Sequence, residues 1–156
     1  MTEREAQIWV DADACPRAIK EILFRAAERK QVHLTLVANR QLHCPRSPYL
    51  HAIRVPHGFD VADHRIVELM QPGDLVVTGD IPLAAAVVER GGHVLGPRGE
   101  RFTEENIGER LAVRDLMDHL RSTGLDTGGP AELGKGDRQA FANALDPLLT
   151  RYFSRR

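Results

Sequence analysis

Two short apolar runs that each stop at an acid constrain this chain more than any other feature. Ile8-Trp9-Val10 runs into Asp11-Ala12-Asp13, and Leu75-Val76-Val77 runs into Thr78-Gly79-Asp80. Helical sequence follows both. Stretches rich in Val and Ile with that punctuation read as buried parallel strands, whose carboxyl ends form the ligand crevice of an open α/β sheet. The two acidic tips are therefore expected at one edge of one sheet. Carboxylates gathered there repel each other unless a cation lies between them, and a set of oxygen donors selects Mg²⁺ or Mn²⁺ over softer metals.

The rest of the chain fits the alternation that such a sheet requires. A helix is expected from Pro16 to Lys30, with Ile19, Ile22, Leu23, Ala26 and Ala27 at helical spacing and proline in the first turn. His33 to Ala38 reads as a strand, Arg40 to Leu50 as a loop, and His51 to Val55 as a short strand. Phe59 to Met70 carries Val61, Ile66, Val67 and Met70 on one helical face and stops at Pro72-Gly73. The strand from Asp74 to Thr78 leads to a helix from Pro82 to Arg90 and a last strand from His93 to Leu95. Thr103 is placed to cap a helix to about Arg121, with Leu111, Asp115 to Leu116 and Leu120 in register. A Gly-rich connection spans 122–136, and a final helix, from about Asp137 to Tyr152, puts Phe141, Leu145, Leu148 and Leu149 on one face. Strands alternating with helices imply a mostly parallel sheet covered on both faces.

With 156 residues, 42% of them apolar, the chain is the size of one domain, able to bury roughly 70% of its unfolded surface. A formal charge of −1 provides no global field for gripping nucleic acid, so such binding would need a local basic patch. Cys15 and Cys44 are too few for a disulfide scaffold and too far apart for a redox or zinc pair, which fits a reduced cytoplasm. The first residues lack the apolar core of a signal peptide, and no stretch approaches the ~20 apolar residues of a membrane span, so no membrane association is expected.

Each acid has a plain role to set beside a functional one. Asp13 is positioned to cap the following helix or to hold metal, and Asp80 stands in the same relation to the helix from Pro82. Asp11, directly after Ile-Trp-Val, lies at the edge of the core, where an ion must be paired or metal-bound. Asp60 and Asp63, three apart at a helix start, could jointly hold a metal or its waters, or simply answer the helix dipole. His64 beside them carries no assigned role. The segment from Asn39 to Tyr49 leaves a strand at the same edge, and its Arg40 and Arg46 suit phosphate, with Asn39 and Thr78 as further candidate substrate-binding residues. Cys15 has no base nearby and reads as a small packed residue. The GxxxxGK-like stretch from Gly129 lacks both the Ser/Thr that ligates Mg²⁺ and a preceding strand, so it is not a phosphate loop.

With these elements in place the chain resembles the YaiI/YqxD family, a bacterial group related to PIN-domain nucleases. The resemblance runs through Trp9-Val10-Asp11-Ala12-Asp13-Ala14-Cys15-Pro16, Gly58-Phe59-Asp60-Val61-Ala62-Asp63, Val77-Thr78-Gly79-Asp80-Ile81-Pro82-Leu83-Ala84 and Asp137-Arg138-Gln139-Ala140-Phe141. It implies an α/β, PIN-like three-layer sandwich with a mostly parallel sheet of about five strands. Residues 1–121 would form that domain, 122–136 the connection, and 137–156 a helix packed on the same domain. It further implies a metal-dependent nuclease, acting on RNA or single-stranded DNA, with Asp11, Asp63 and Asp80 catalytic and Asp60 the alternative to Asp63. Mg²⁺ or Mn²⁺ would be held among Asp11, Asp13, Asp60, Asp63 and Asp80. Nucleic acid, RNA first, is the expected partner.

Two other classes compete with that reading. Asp11-x-Asp13 after a strand also resembles the nucleophile and acid/base pair of haloacid-dehalogenase-type phosphatases, with Asp11 as nucleophile. Those enzymes want Thr or Val where Cys15 stands, a Lys before a later acidic pair, and a longer chain; four residues after Asp80 stands Ala84, not a second acid. A non-catalytic module that binds nucleic acid or a protein partner is the third class.

Overall fold

A computed structural model describes residues 5–125 and 133–153. The middle of the Gly-rich connection, 126–132, lies outside the described residues, as does most of the GxxxxGK-like stretch. Along the chain the elements are β1 (Ile8–Asp11), α1 (Arg17–Lys30), β2 (Leu34–Ala38), β3 (Leu50–Arg54), α2 (Val61–Leu69), β4 (Leu75–Val77), α3 (Ile81–Glu89), β5 (His93–Leu95), β6 (Arg101–Phe102), α4 (Glu104–Ser122) and α5 (Lys135–Tyr152). They form an α/β fold on one six-stranded sheet of order β3-β2-β1-β4-β5-β6. Five strands are parallel, and β6 alone runs antiparallel, Val94 opposite Phe102.

The strand order places a topological switch at the centre. From β1 the chain moves outward through β2 and β3, then returns to lay β4 on the other side of β1, in register Ile8 with Leu75 and Val10 with Val77. A crevice opens beyond the carboxyl ends of strands at such a switch, and here those ends carry Asp11 and the Thr78-Gly79-Asp80 turn.

Side-chain alternation sorts the central strands between two cores. Ile8 and Val10, with Leu75 and Val77, join Ile19, Leu23 and the α5 residues Phe141, Leu145, Leu148 and Leu149 on one face. Trp9 and Val76 join Ile66, Leu83, Val87 and Phe102 on the other. By the same period of two, Asp11 and Thr78 belong to the second face, above which α2 and α3 begin.

Three expectations change. The sheet has a sixth strand after His93–Leu95, because Gly96 to Glu100 turn the chain back: the Gly96 amide donates to the Glu100 carbonyl and the Gly99 amide to the Gly96 carbonyl. Gly99 is left-handed there (φ 87°), and an added Cβ would come within 2.7 Å of the Ala140 carbonyl oxygen, so the turn fits against α5 only with glycine. On α4, Leu116 is 55% exposed and no residue is fully buried. Leu111 and Leu116 are about 140° apart around a helix, so both cannot face α3. Thirdly, Asp13 caps no helix. Pro16 precedes α1, and no side chain caps that end.

No described helix is long and apolar enough to cross a membrane.

Candidate functional site

The acids at the switch are assembled from three local structures. Asp11 is the last residue of β1, and only 7% of its surface is exposed. The Thr78 hydroxyl, also buried, donates to Asp11 Oδ2 at 2.9 Å and accepts from the Asp80 amide at 3.0 Å. One side chain therefore ties the two strand tips together. Asp80 then caps α3 as its position suggested, its Oδ1 accepting from the Leu83 amide at 3.0 Å, with Pro82 in the first turn.

The third structure is the start of α2. Asp60 precedes the helix in the left-handed region (φ 59°), a conformation that Asp tolerates better than most residues, and its side chain makes no capping bond. Asp63 follows one turn on. Each of Asp60, Asp63 and Asp80 offers a carboxylate oxygen within 4.8 Å of the others, a group that could hold a metal ion. Asp11 stands outside that group, yet its charge acts on Asp63.

Crowding changes the acids' chemistry. Asp63 is pushed up to about 7, first by burial, then by the charges of Asp80, Asp11 and Asp60, and by a hydrogen bond with Asp80. Asp11 is also raised, chiefly by burial, with Asp80 and Asp13 adding repulsion and the Thr78 hydrogen bond opposing both. Among the described residues no Lys, Arg or His forms an ion pair with Asp11, Asp60, Asp63 or Asp80. The donor set is all oxygen, partly buried and short of positive charge, which fits a hard divalent cation.

A cavity of about 280 Å³ opens beside the cluster, lined by Asp60, Asp63 and Asp80 together with Phe59, His64 and Arg114. Phe59 is 93% exposed. Arg114, from α4, also reaches Asp118 at 3.1 Å. Neither was singled out in the sequence. An aromatic in the polar His57-Gly58-Phe59-Asp60 turn, without a helical partner, was a local signal for Phe59; Arg114 had none, because only the packing of α4 on α3 brings it here.

Asp13 lies apart from the cluster. Its Oδ2 accepts from the Asn39 amide at 2.8 Å, and its Oδ1 lies 3.6 Å from Arg40 Nε. The carboxylate therefore anchors the loop after β2 rather than the start of α1. Arg46 is exposed on that same loop. Cys15 is buried, and its thiol is pushed up to about 12, mainly by burial, which keeps it protonated and unreactive.

Comparison with known proteins bears on the whole of this frame. The chain is 64% identical to a UPF0178 protein of Bordetella petrii, covering 91% of this chain and 95% of the relative. It is 63% identical to one of Halorhodospira halophila (93% and 96% covered) and 60% identical to one of Syntrophotalea carbinolica (94% and 99% covered). No solved structure matches it. The family model described as the uncharacterized YaiI/YqxD family matches residues 9–151, from the strand that delivers Asp11 to the last turn of α5. The chain belongs to the YaiI/YqxD family.

Proposed function

We propose that this protein is a metal-dependent phosphodiester hydrolase acting on single-stranded nucleic acid, RNA before DNA. The observation that carries the reading is the set of four carboxylates at the switch point with no cationic side chain among the described residues paired to any of them. Mg²⁺ or Mn²⁺ is the cofactor whose chemistry fits, since either would activate water and offset charge on the phosphorus. Asp60, Asp63 and Asp80 would hold the ion. Asp11, fixed by Thr78, adds negative charge beside them and is the candidate to orient the attacking water; Thr78 is a positioning residue in this reading. Phe59 offers a face for a nucleobase, and Arg114 a guanidinium for a neighbouring phosphate. A PIN-domain relation would imply the same use of acids.

The phosphatase alternative requires Asp13 to work as acid/base beside Asp11. The Asn39 amide and Arg40 engage that carboxylate instead. A silent binding module is separated from either enzyme by turnover. The test is cleavage of a labelled single-stranded oligonucleotide with Mn²⁺, by wild type, Asp63→Asn and Asp11→Asn. Wild-type cleavage that chelation stops, and that each substitution lowers at least about 100-fold with the fold intact, is expected. Undiminished metal-dependent cleavage by folded Asp63→Asn protein would refute the assignment.

A further inference from the structure

The carboxyl edge of the sheet carries a second feature, on the face opposite the acids. A cavity of about 620 Å³ lies between the start of α1 and the loop after β2, within the size range of pockets that enclose small ligands. Arg17 and Lys20 reach it from α1, and Arg40 and His43 from the loop. Among the described residues Glu21 is the one carboxylate in the lining, so cations there outnumber acids three to one in a chain whose net charge is −1. Phe24, Leu42 and Pro45 supply apolar wall.

These cations are only loosely engaged by the protein itself. Arg17 meets Glu21 at 3.6 Å with both side chains largely exposed, and Arg40 meets Asp13 at 3.6 Å. Such long, solvated pairs hold little energy. Lys20, half-buried at the cavity wall, has no ion-pair partner among the described residues. The adjoining end of the 14-residue helix α1 has neither a side-chain cap nor an acid in its first turn, since Asp13 has turned away to Asn39 and Arg40. The dipole of that end therefore adds to the same positive field.

We infer that this cavity binds a terminal phosphomonoester, held by Lys20, Arg17 and Arg40, with the attached nucleoside against Phe24 and Leu42. A monoester suits it better than an internal phosphodiester: three cations around one cavity match a group of nearly two charges better than the single charge of a diester. The inference rests on the nucleic-acid reading above for the nature of the ligand. It adds that the strand would be gripped at its end while a phosphodiester farther along reaches the acids. Asp13 connects the two sites, on the acid side through its charge on Asp11 and on the basic side through Arg40.

Binding is measured in EDTA, so that the acids take no part, by fluorescence anisotropy of one short oligonucleotide in three forms: 5′-phosphorylated, 3′-phosphorylated and unphosphorylated. A free nucleoside monophosphate is titrated as competitor. One phosphorylated form should bind at least about tenfold more tightly than the unphosphorylated strand. Lys20→Gln and, separately, Arg17→Gln should remove most of that preference while the melting temperature stays near wild type. Competition by the monophosphate identifies the monoester alone as sufficient; failure to compete, with the strand preference intact, identifies the strand end as the ligand. Equal affinity for all three forms, or a preference that survives both substitutions, would overturn the inference. Because no metal is present, that result would leave the hydrolase reading standing, whereas phosphate-dependent binding without any metal-dependent cleavage would do the reverse.

Discussion

Both ends of one sheet face carry buried acids, and the two ends treat them in opposite ways. At the amino edge, Asp74 is fully buried and accepts from the Gln7 amide at 2.9 Å, the Gln71 amide at 3.0 Å and the Trp9 indole Nε1 at 2.9 Å. At the carboxyl edge, two residues along from Trp9, Asp11 has a single hydroxyl donor and three acidic neighbours. One carboxylate is built into the fold by donors from three positions of the chain. The others are crowded until Asp63 is pushed up to about 7. A fold that can satisfy a buried acid so fully at one end does not need repulsion at the other, which is why the carboxyl edge reads as a binding site and the amino edge as structure.

The contrast is open to direct test by substitution at each end. Asp74→Ala would take the acceptor from the buried Trp9 indole and from two part-buried amides and should cost about 3–5 kcal/mol in urea unfolding; a loss below about 1 kcal/mol would dissolve the distinction. Phe59→Ala at the other end should leave stability within about 0.5 kcal/mol, since the ring is exposed, yet weaken single-strand binding by about 1–3 kcal/mol. Unchanged binding would remove the ring from the site. Arg40 and Arg46 replaced together by Ala should flatten the salt dependence of that binding by roughly one unit of log slope, because fewer counterions are released. An unaltered slope would return the loop to a solvated surface.

The smallest expected effect has the most informative sign. The folded pKa of Asp63 lies above its unfolded value of 3.8, so the folded state retains the proton more strongly. The associated stability is fully present below about pH 4 and is lost as the pH rises toward 7. Asp63→Asn should therefore make the metal-free protein more stable at pH 8, by about 1 kcal/mol once solvent screening of this half-exposed group is allowed for, or roughly 2–4 °C in melting temperature. A drop in melting temperature would mean that the carboxylate is a structural partner like Asp74.

The same contrast explains what could be read from the sequence. The strands ending at Asp11 and Thr78 were legible because a run of Val, Ile and Leu that stops at an acid is a local signal, and Asp80 was legible as a cap because Pro82 follows it. The inward face of α5 was equally plain in Phe141, Leu145, Leu148 and Leu149. Asp74 looked like the first residue of a strand; two of its partners, Gln7 and Trp9, are distant in sequence and meet it only through the β1–β4 pairing. Asp13 has the sequence of a helix cap, but the loop after β2 competes for its oxygens and wins. β6 is two residues long, too short for any periodicity. The Asp137-Arg138-Gln139-Ala140-Phe141 segment, which carried part of the resemblance, serves the fold: Asp137 meets Arg98 at 2.7 Å and Phe141 fills the core, fastening α5 to the β5–β6 turn.

Location of a divalent ion tests the central claim most directly. In a crystal soaked with Mn²⁺, anomalous density is expected between the carboxylates of Asp60, Asp63 and Asp80, on the Asp11 side of the cavity, and is expected to vanish in Asp63→Asn crystals grown alike. Mn²⁺ bound elsewhere, or density at the cluster that persists without the Asp63 carboxylate, would contradict the account.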